Sequence, residues 1–184
     1  MKKFLSVLLA VMMVVSFAAC GSKKAQPNTL KEDTTLEDVI AAVDKKFADK
    51  YGSDYSAVAM GMPSEEQYLA DFLELDSSVY DEYAGSISMS MTNSDAFFVI
   101  KAKEGKVEQV KQALEKRLAD LVAQYEFYPV SGSFERAQEG EVYVKGDYVF
   151  LIVVGALTND NMDSPDFSED VKMTKETIDS MFNS

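Results

Sequence analysis

The sequence predicts an α+β domain, a four-stranded and mainly antiparallel sheet in ββαββ order with helices on both faces. Three observations carry that prediction. Residues 96–102 and 148–154 are apolar on both side-chain parities, so both faces of the sheet must be covered where these strands lie. Between them, Val107, Val110, Leu114, Leu118, Leu121, Val122 and Tyr125 form one helical stripe, with Lys106, Lys111, Glu115 and Lys116 on the opposite side. Short turn-rich segments precede each doubly apolar strand and read as hairpins.

The chain opens on an export signal. Lys2 and Lys3 precede an apolar run from Phe4 to Ala19, interrupted only by Ser6 and Ser16. The run is shorter than the ~20 residues of a spanning helix and fits the apolar core of a secretory signal. It ends in Phe17-Ala18-Ala19-Cys20, followed by Gly21-Ser22. Small residues before a Cys resemble the bacterial lipobox, with Phe17 where Leu is more usual. That resemblance implies a signal peptide over 1–19, a diacylglyceryl group on the Cys20 thiol, and cleavage leaving Cys20 as the mature N-terminus. Residues 20–33 then read as the lipidated Cys and a flexible tether, polar and without apolar period. The expected location is the extracellular face of the cell membrane, reached through two acyl chains, which anchor stably where one is marginal.

Residues 34–184 read as a single globular domain. A first helix is expected over 35–50, with Thr34 and Glu37 as a capping box and Leu36, Val39, Ile40, Val43 and Phe47 on one face. A second is expected over 64–75, started by Pro63 and Glu65-Glu66, with Tyr68, Leu69, Phe72 and Leu75 inward. Ile87, Met89 and Met91 alternate with Ser86, Ser88 and Ser90, which predicts a strand with one wet face. An exposed edge at those serines would accept a partner strand. The turn Thr92-Asn93-Ser94-Asp95 leads into the first doubly apolar strand, and the long helix follows over 104–125. A loop around Pro129 and Gly132 precedes Val142-Tyr143-Val144, the turn Lys145-Gly146-Asp147, and the second doubly apolar strand. The last helix is expected over 168–182, with Val171, Thr174, Ile178, Met181 and Phe182 on one side.

Three of these stretches together resemble a known family: Asp95-Ala-Phe-Phe-Val-Ile-Lys-Ala-Lys-Glu-Gly-Lys106, then Val110 through Leu114-Glu-Lys-Arg-Leu118, then Lys145-Gly-Asp-Tyr-Val-Phe-Leu151. The family is the Firmicutes lipoproteins of domain of unknown function 4358, and the likeness covers roughly residues 55–155. It implies the export route and the fold, and it transfers no activity and no catalytic residue.

Composition excludes several chemistries. The chain of 184 residues has no His and one Cys. That removes Ser-His-Asp and Cys-His nucleophiles, His-ligated zinc, internal disulfides and CxxC redox sites. No glycine loop of the GxGxxG or P-loop kind occurs, so no cofactor is expected. The formal charge is −13, and −15 once Lys2 and Lys3 leave with the signal. Nucleic acid would be repelled.

The remaining candidates are few. Asn159, Asn161 and Asp163 have calcium-loop spacing, with Asp170 at the twelfth place. Against this, Ser164 stands where Gly is needed and Pro165 follows, so the loop reads first as a solvated lead into a helix N-terminus. Tyr125, Phe127, Tyr128 and Phe134 form an aromatic group that packs a loop onto the core or grips a sugar or peptide. Arg117, one of two arginines with Arg136, is expected to pair with a surface carboxylate. These features favour a non-enzymatic, lipid-anchored binding module that meets an envelope protein or cell-wall component. The alternatives are a small solute-binding accessory of a transporter and a carboxylate- or metal-dependent envelope hydrolase.

Overall fold

The computed structural model describes residues 28–184, so the expected signal at 1–19 and Cys20 lie outside the described residues. Helix α1 (Leu36–Tyr51) starts on a capping box one residue later than the sequence suggested. Thr35 Oγ1 accepts from the Asp38 N–H, and Asp38 Oδ2 accepts from the Thr35 N–H at 2.9 Å. The chain offers Thr34 with Glu37 and Thr35 with Asp38 at the same spacing, and the helix uses the second, with Leu36 buried at its first position. A loop leads to β1 (Gly61–Pro63), a three-residue strand that the sequence reading placed in no element. Helix α2 (Glu66–Leu73) follows, then β2 (Tyr80–Ser88) and β3 (Ala96–Ala102).

Helix α3 (Val107–Phe127) is the long predicted helix. A short helix, α4 (Ser133–Gln138), occupies what read as loop. The predicted second hairpin is β4 (Glu141–Lys145) and β5 (Tyr148–Val153), and α5 (Ser168–Ser180) closes the chain. All strand pairs are antiparallel, in the order β1-β2-β3-β5-β4. The sheet therefore has five strands rather than the four expected. Its ββαββ core is β2, β3, α3, β4 and β5, and β1 is the addition.

The expected strand at 86–91 is displaced. Pairing with β3 puts Tyr80 opposite Ala102 and Ile87 opposite Ala96, so β2 begins earlier and ends at Ser88. Met89 and Met91 lie past the strand and are exposed. The strand reads poorly in sequence because Asp81 and Glu82 sit beside a register shift, where side chains face water. Gly85 is required by close approach: its φ is +151°, and a Cβ there would come within 3.0 Å of the Phe97 carbonyl oxygen and Phe98 Cα. The serine edge is not free, because β1 pairs Gly61 with Ser88 and Pro63 with Ser86.

Both faces of the sheet are covered, as the doubly apolar strands require. Phe97, Val99, Phe150 and Ile152 pack under α1 and α5, against Val39, Val43, Phe47 and Ile178. Phe98, Ile100, Val149 and Leu151 pack against Leu69 and Leu73 of α2 and Val110, Leu114 and Leu121 of α3. Each such side chain contributes about 1.5–3 kcal/mol on removal from water. Tyr68 of α2 stacks on Phe98 with ring centroids 5.4 Å apart and on Phe72 at 4.8 Å. The expected surface pairing of Arg117 does not form. Its guanidinium lies 5.8 Å from the Phe72 ring centroid, and among the described residues no carboxylate pairs with it.

The two ends of the described chain meet. Leu30 bridges to Phe182, and the Asn28 N–H donates to the Asn183 carbonyl at 3.0 Å. Residues 28–33, read as the end of the tether, are thus part of the folded unit. No helix among the described residues is long and apolar enough to cross a membrane.

On the β4 edge, the Tyr143 hydroxyl donates to Asp179 Oδ1 at 2.7 Å, and Lys145 pairs with the same oxygen. Partial burial, then the Asp179 carboxylate, push Tyr143 up to about 12 from an ordinary 10.0. A phenol with a raised folded pKa stabilises fully below the unfolded value. That contribution is lost as pH climbs from about 10 through 12. Urea midpoints should therefore fall across that window, and less steeply in Tyr143→Phe. An alkaline limb identical in the two proteins would refute the assignment.

Candidate functional site

The strongest concentration of buried polar chemistry lies at one end of the sheet, where β3 begins and β5 ends. The loop at 90–95 builds its floor. Asn93 Oδ1 accepts from the Asp95 N–H at 3.2 Å, and Asn93 Nδ2 donates to Asp95 Oδ2 at 3.0 Å. This is a local Asx arrangement that turns the chain into the strand. It also aims the Asp95 carboxylate into the protein, where the side chain is 2% exposed. The Ala59 N–H, from the loop after α1, adds a second donor to Oδ2 at 2.8 Å.

Arg136 supplies the countercharge from α4. Its Nε lies 2.8 Å from Asp95 Oδ1, and its own side chain is 4% exposed. The Nε hydrogen is directed instead to the Gly155 carbonyl at 3.0 Å, so Oδ1 is held by charge and has no donor aligned on it. Nη1 donates to Asn93 Oδ1 at 3.1 Å, and the guanidinium sits 4.5 Å above the Phe167 ring centroid. Burial pushes the Asp95 carboxyl up, opposed by Arg136, the Ala59 N–H and Asn93. Two neighbours lock the loop further. Ser94 Oγ donates to the Ser133 carbonyl at 2.7 Å, and the Tyr125 hydroxyl donates to the Asn93 carbonyl at 2.8 Å.

A cleft of about 260 Å³ opens beside this pair, lined among others by Tyr55, Ser90, Thr92, Asn93 and Arg136. Its chemistry is hydroxyls, an amide and the exposed Asp54 carboxylate around a neutralised ion pair. Asp95 is fixed by two hydrogen bonds and a cation. Met60 and Met91, both exposed, flank the same end.

The residues singled out in the sequence are not brought together into sites. Asp170 does not face a cation loop. Its Oδ1 accepts from Lys50 Nζ at 2.7 Å and the Tyr51 hydroxyl at 2.6 Å, and its Oδ2 from the Ala156 N–H at 3.0 Å. Asn161 closes its own turn, accepting from the Thr158 N–H at 2.7 Å and donating to the Ala156 carbonyl at 3.0 Å. Asn159 and Asp163 are exposed. Asn161 and Asp170 thus clamp the two sides of Ala156, a structural use of both. Among the described residues no cluster of three or more acids or thiols could hold a metal ion. The aromatic group splits. Tyr125 is buried and Phe134 packs against the α3 core, while Phe127 and Tyr128 are exposed, so the four form no single surface.

Asp95 and Arg136 were the residues the sequence reading missed as a pair. They are far apart in the chain, and Arg136 sits in a helix of six residues. One signal was available: Asp95 abuts a strand apolar on both parities, so a carboxylate there is driven inside and needs a cation.

No curated protein and no solved structure matches the chain. A family model, described as Domain of unknown function (DUF4358), matches residues 54–154, a span that holds all five strands, α2–α4, Asp95 and Arg136. The chain belongs to that family of unknown function, DUF4358.

Proposed function

We propose that the chain is a lipid-anchored protein of the extracellular face of the cell membrane whose folded domain is a non-enzymatic binding module for an envelope protein or cell-wall component. The observation that carries the reading is the polarity of the fold. Asn28 packs against Gly146 in the β4–β5 turn, at one end of the sheet. The Asp95–Arg136 cleft lies at the other, beyond the last residues of β5. The length of β5 separates them by about 20 Å, at ~3.3 Å per residue. Eight residue-to-residue steps separate Cys20 from Asn28 and reach at most about 29 Å. An anchor at Cys20 would hold the turn end near the bilayer and present the cleft outward. The missing His and the immobilised Asp95 support binding over catalysis.

The test is palmitate labelling and membrane fractionation of the native protein and Cys20→Ala, followed by in-cell crosslinking of the native form. The expected result is label and membrane association in the native protein alone, with one reproducible crosslinked partner. An unlabelled native protein would remove the anchor. Crosslinking that yields no envelope component from a labelled protein would remove the binding role.

A further inference from the structure

We propose that the open edge of β2 takes an extended, basic polypeptide segment as an added strand. The proposal rests on the binding-module reading and names the class of partner. β1 covers β2 only at Ser86–Ser88. One step further, the Ser64 N–H donates to the Gly85 carbonyl at 3.1 Å, which shows that the Gly85 backbone faces this side. Strand alternation turns the Tyr83 N–H and C=O the same way. Among the described residues no strand pairs with Tyr83 there.

The space beside that edge is not filled. Two adjoining cavities of about 530 and 770 Å³ run along it, sharing Glu37 and Tyr83 in their walls. The α1 wall includes Ile40, an apolar footing for alternate side chains of an added strand. Tyr80 to Ala84, short of the Gly85 carbonyl that Ser64 occupies, offer room for about four or five residues at ~3.3 Å each.

Charge selects the occupant. Glu37, Asp44, Glu66, Asp81 and Glu82 line the two cavities, against Lys103 as the one cation. Lys103 is engaged with the Ser77 carbonyl at 2.5 Å. Glu82 pairs with Lys101 at 3.2 Å, Asp44 accepts from the Ala57 N–H at 2.9 Å, and Glu37, Glu66 and Asp81 have no cation within 4.0 Å among the described residues. An acidic segment would be repelled here, and a basic one would neutralise carboxylates that the domain leaves unpaired.

The probe is a capped heptapeptide alternating Lys and Val, titrated calorimetrically into the detergent-solubilised full-length protein. Binding should weaken with salt, and the matching Glu-Val peptide should bind at least about tenfold more weakly. N-methylation at alternate residues removes the outward or the inward amide hydrogens of the peptide. One methylated register should lose about tenfold and the other little, since only one row of amides reaches β2. Glu37→Lys with Asp81→Lys, both exposed beside the edge, should weaken the parent peptide without unfolding the domain. Equal binding of the Lys and Glu peptides, or indifference to both methylated registers, would overturn the proposal. So would self-association through this edge that the peptide fails to displace. A palmitate-labelled, partner-crosslinked protein that ignores the peptide would overturn the groove assignment and leave the anchored binding role standing.

Discussion

Arg136→Leu should cost the domain about 3–5 kcal/mol, the range for stripping one partner from a buried ion pair. Against a typical total of about 5–15 kcal/mol, that leaves a domain partly unfolded at moderate temperature. The size follows from what stays behind. Asp95 remains buried at the mouth of β3, and its Oδ1 has no aligned donor even in the native protein. The Gly155 carbonyl loses the Arg136 donor in the same step, and Asn93 Oδ1 keeps only the Asp95 N–H. Removing the charge as well should recover much of the loss. In Asp95→Asn with Arg136→Leu, the amide oxygen introduced at 95 still accepts from the Ala59 N–H and carries no uncompensated charge. Urea unfolding of both singles and the double closes the cycle, with an expected coupling of about 1–3 kcal/mol. Strictly additive losses, or a cost below about 1 kcal/mol for Arg136→Leu, would mean that the pair does not organise this end of the sheet.

This pair also marks the boundary of what sequence could reveal. Periodicity located α3, β3, β5 and α5, because Val110, Leu114, Phe98 and Leu151 are buried by repeating patterns that a single segment carries. It located β2 badly, because the Ile87, Met89 and Met91 alternation is local and pairing with β3 is not. The register is set by where Ala96–Ala102 can find hydrogen-bond partners, and that choice exposes Met89 and Met91. It missed β1 and α4, which are too short to show a period and exist through contacts made elsewhere in the chain. The candidate site fared worst. The sequence read the calcium-spaced loop first as a solvated lead into a helix, and the fold spends Asp170 on Lys50, Tyr51 and the Ala156 N–H. It pointed to Arg117 as a surface ion pair, and the fold lays it over Phe72. Ion pairs between distant segments leave no spacing to read. What can be read is the demand for one, such as a carboxylate next to a doubly apolar strand.

Gly155→Ala should be the other severe single change, at about 3 kcal/mol, because overpacking here cannot relax into a flexible side-chain end. A Cβ at residue 155 would fall within 3.0 Å of Cβ, Cγ and Cδ1 of Phe167, so the α5 entry itself would have to move. Phe167 has little freedom to do so. Its ring is fully buried and lies beneath the Arg136 guanidinium, and its N–H donates to Glu139 Oε2 at 2.5 Å. The Gly155 carbonyl is also the acceptor for Arg136 Nε. One methyl group therefore strains the end of β5, the start of α5 and the ion pair together. Phe167→Ala alone should cost about 3–5 kcal/mol as a cavity. Combined with Gly155→Ala it should cost at least about 1 kcal/mol less than the two losses added, since the two nearest of the three carbons the methyl would strike, Cδ1 and Cγ, are deleted and only Cβ remains. Chemical denaturation of the four proteins measures this coupling. A near-neutral Gly155→Ala, or simple additivity with Phe167→Ala, would show that the strand end has slack and that the convergence on Arg136 is loose.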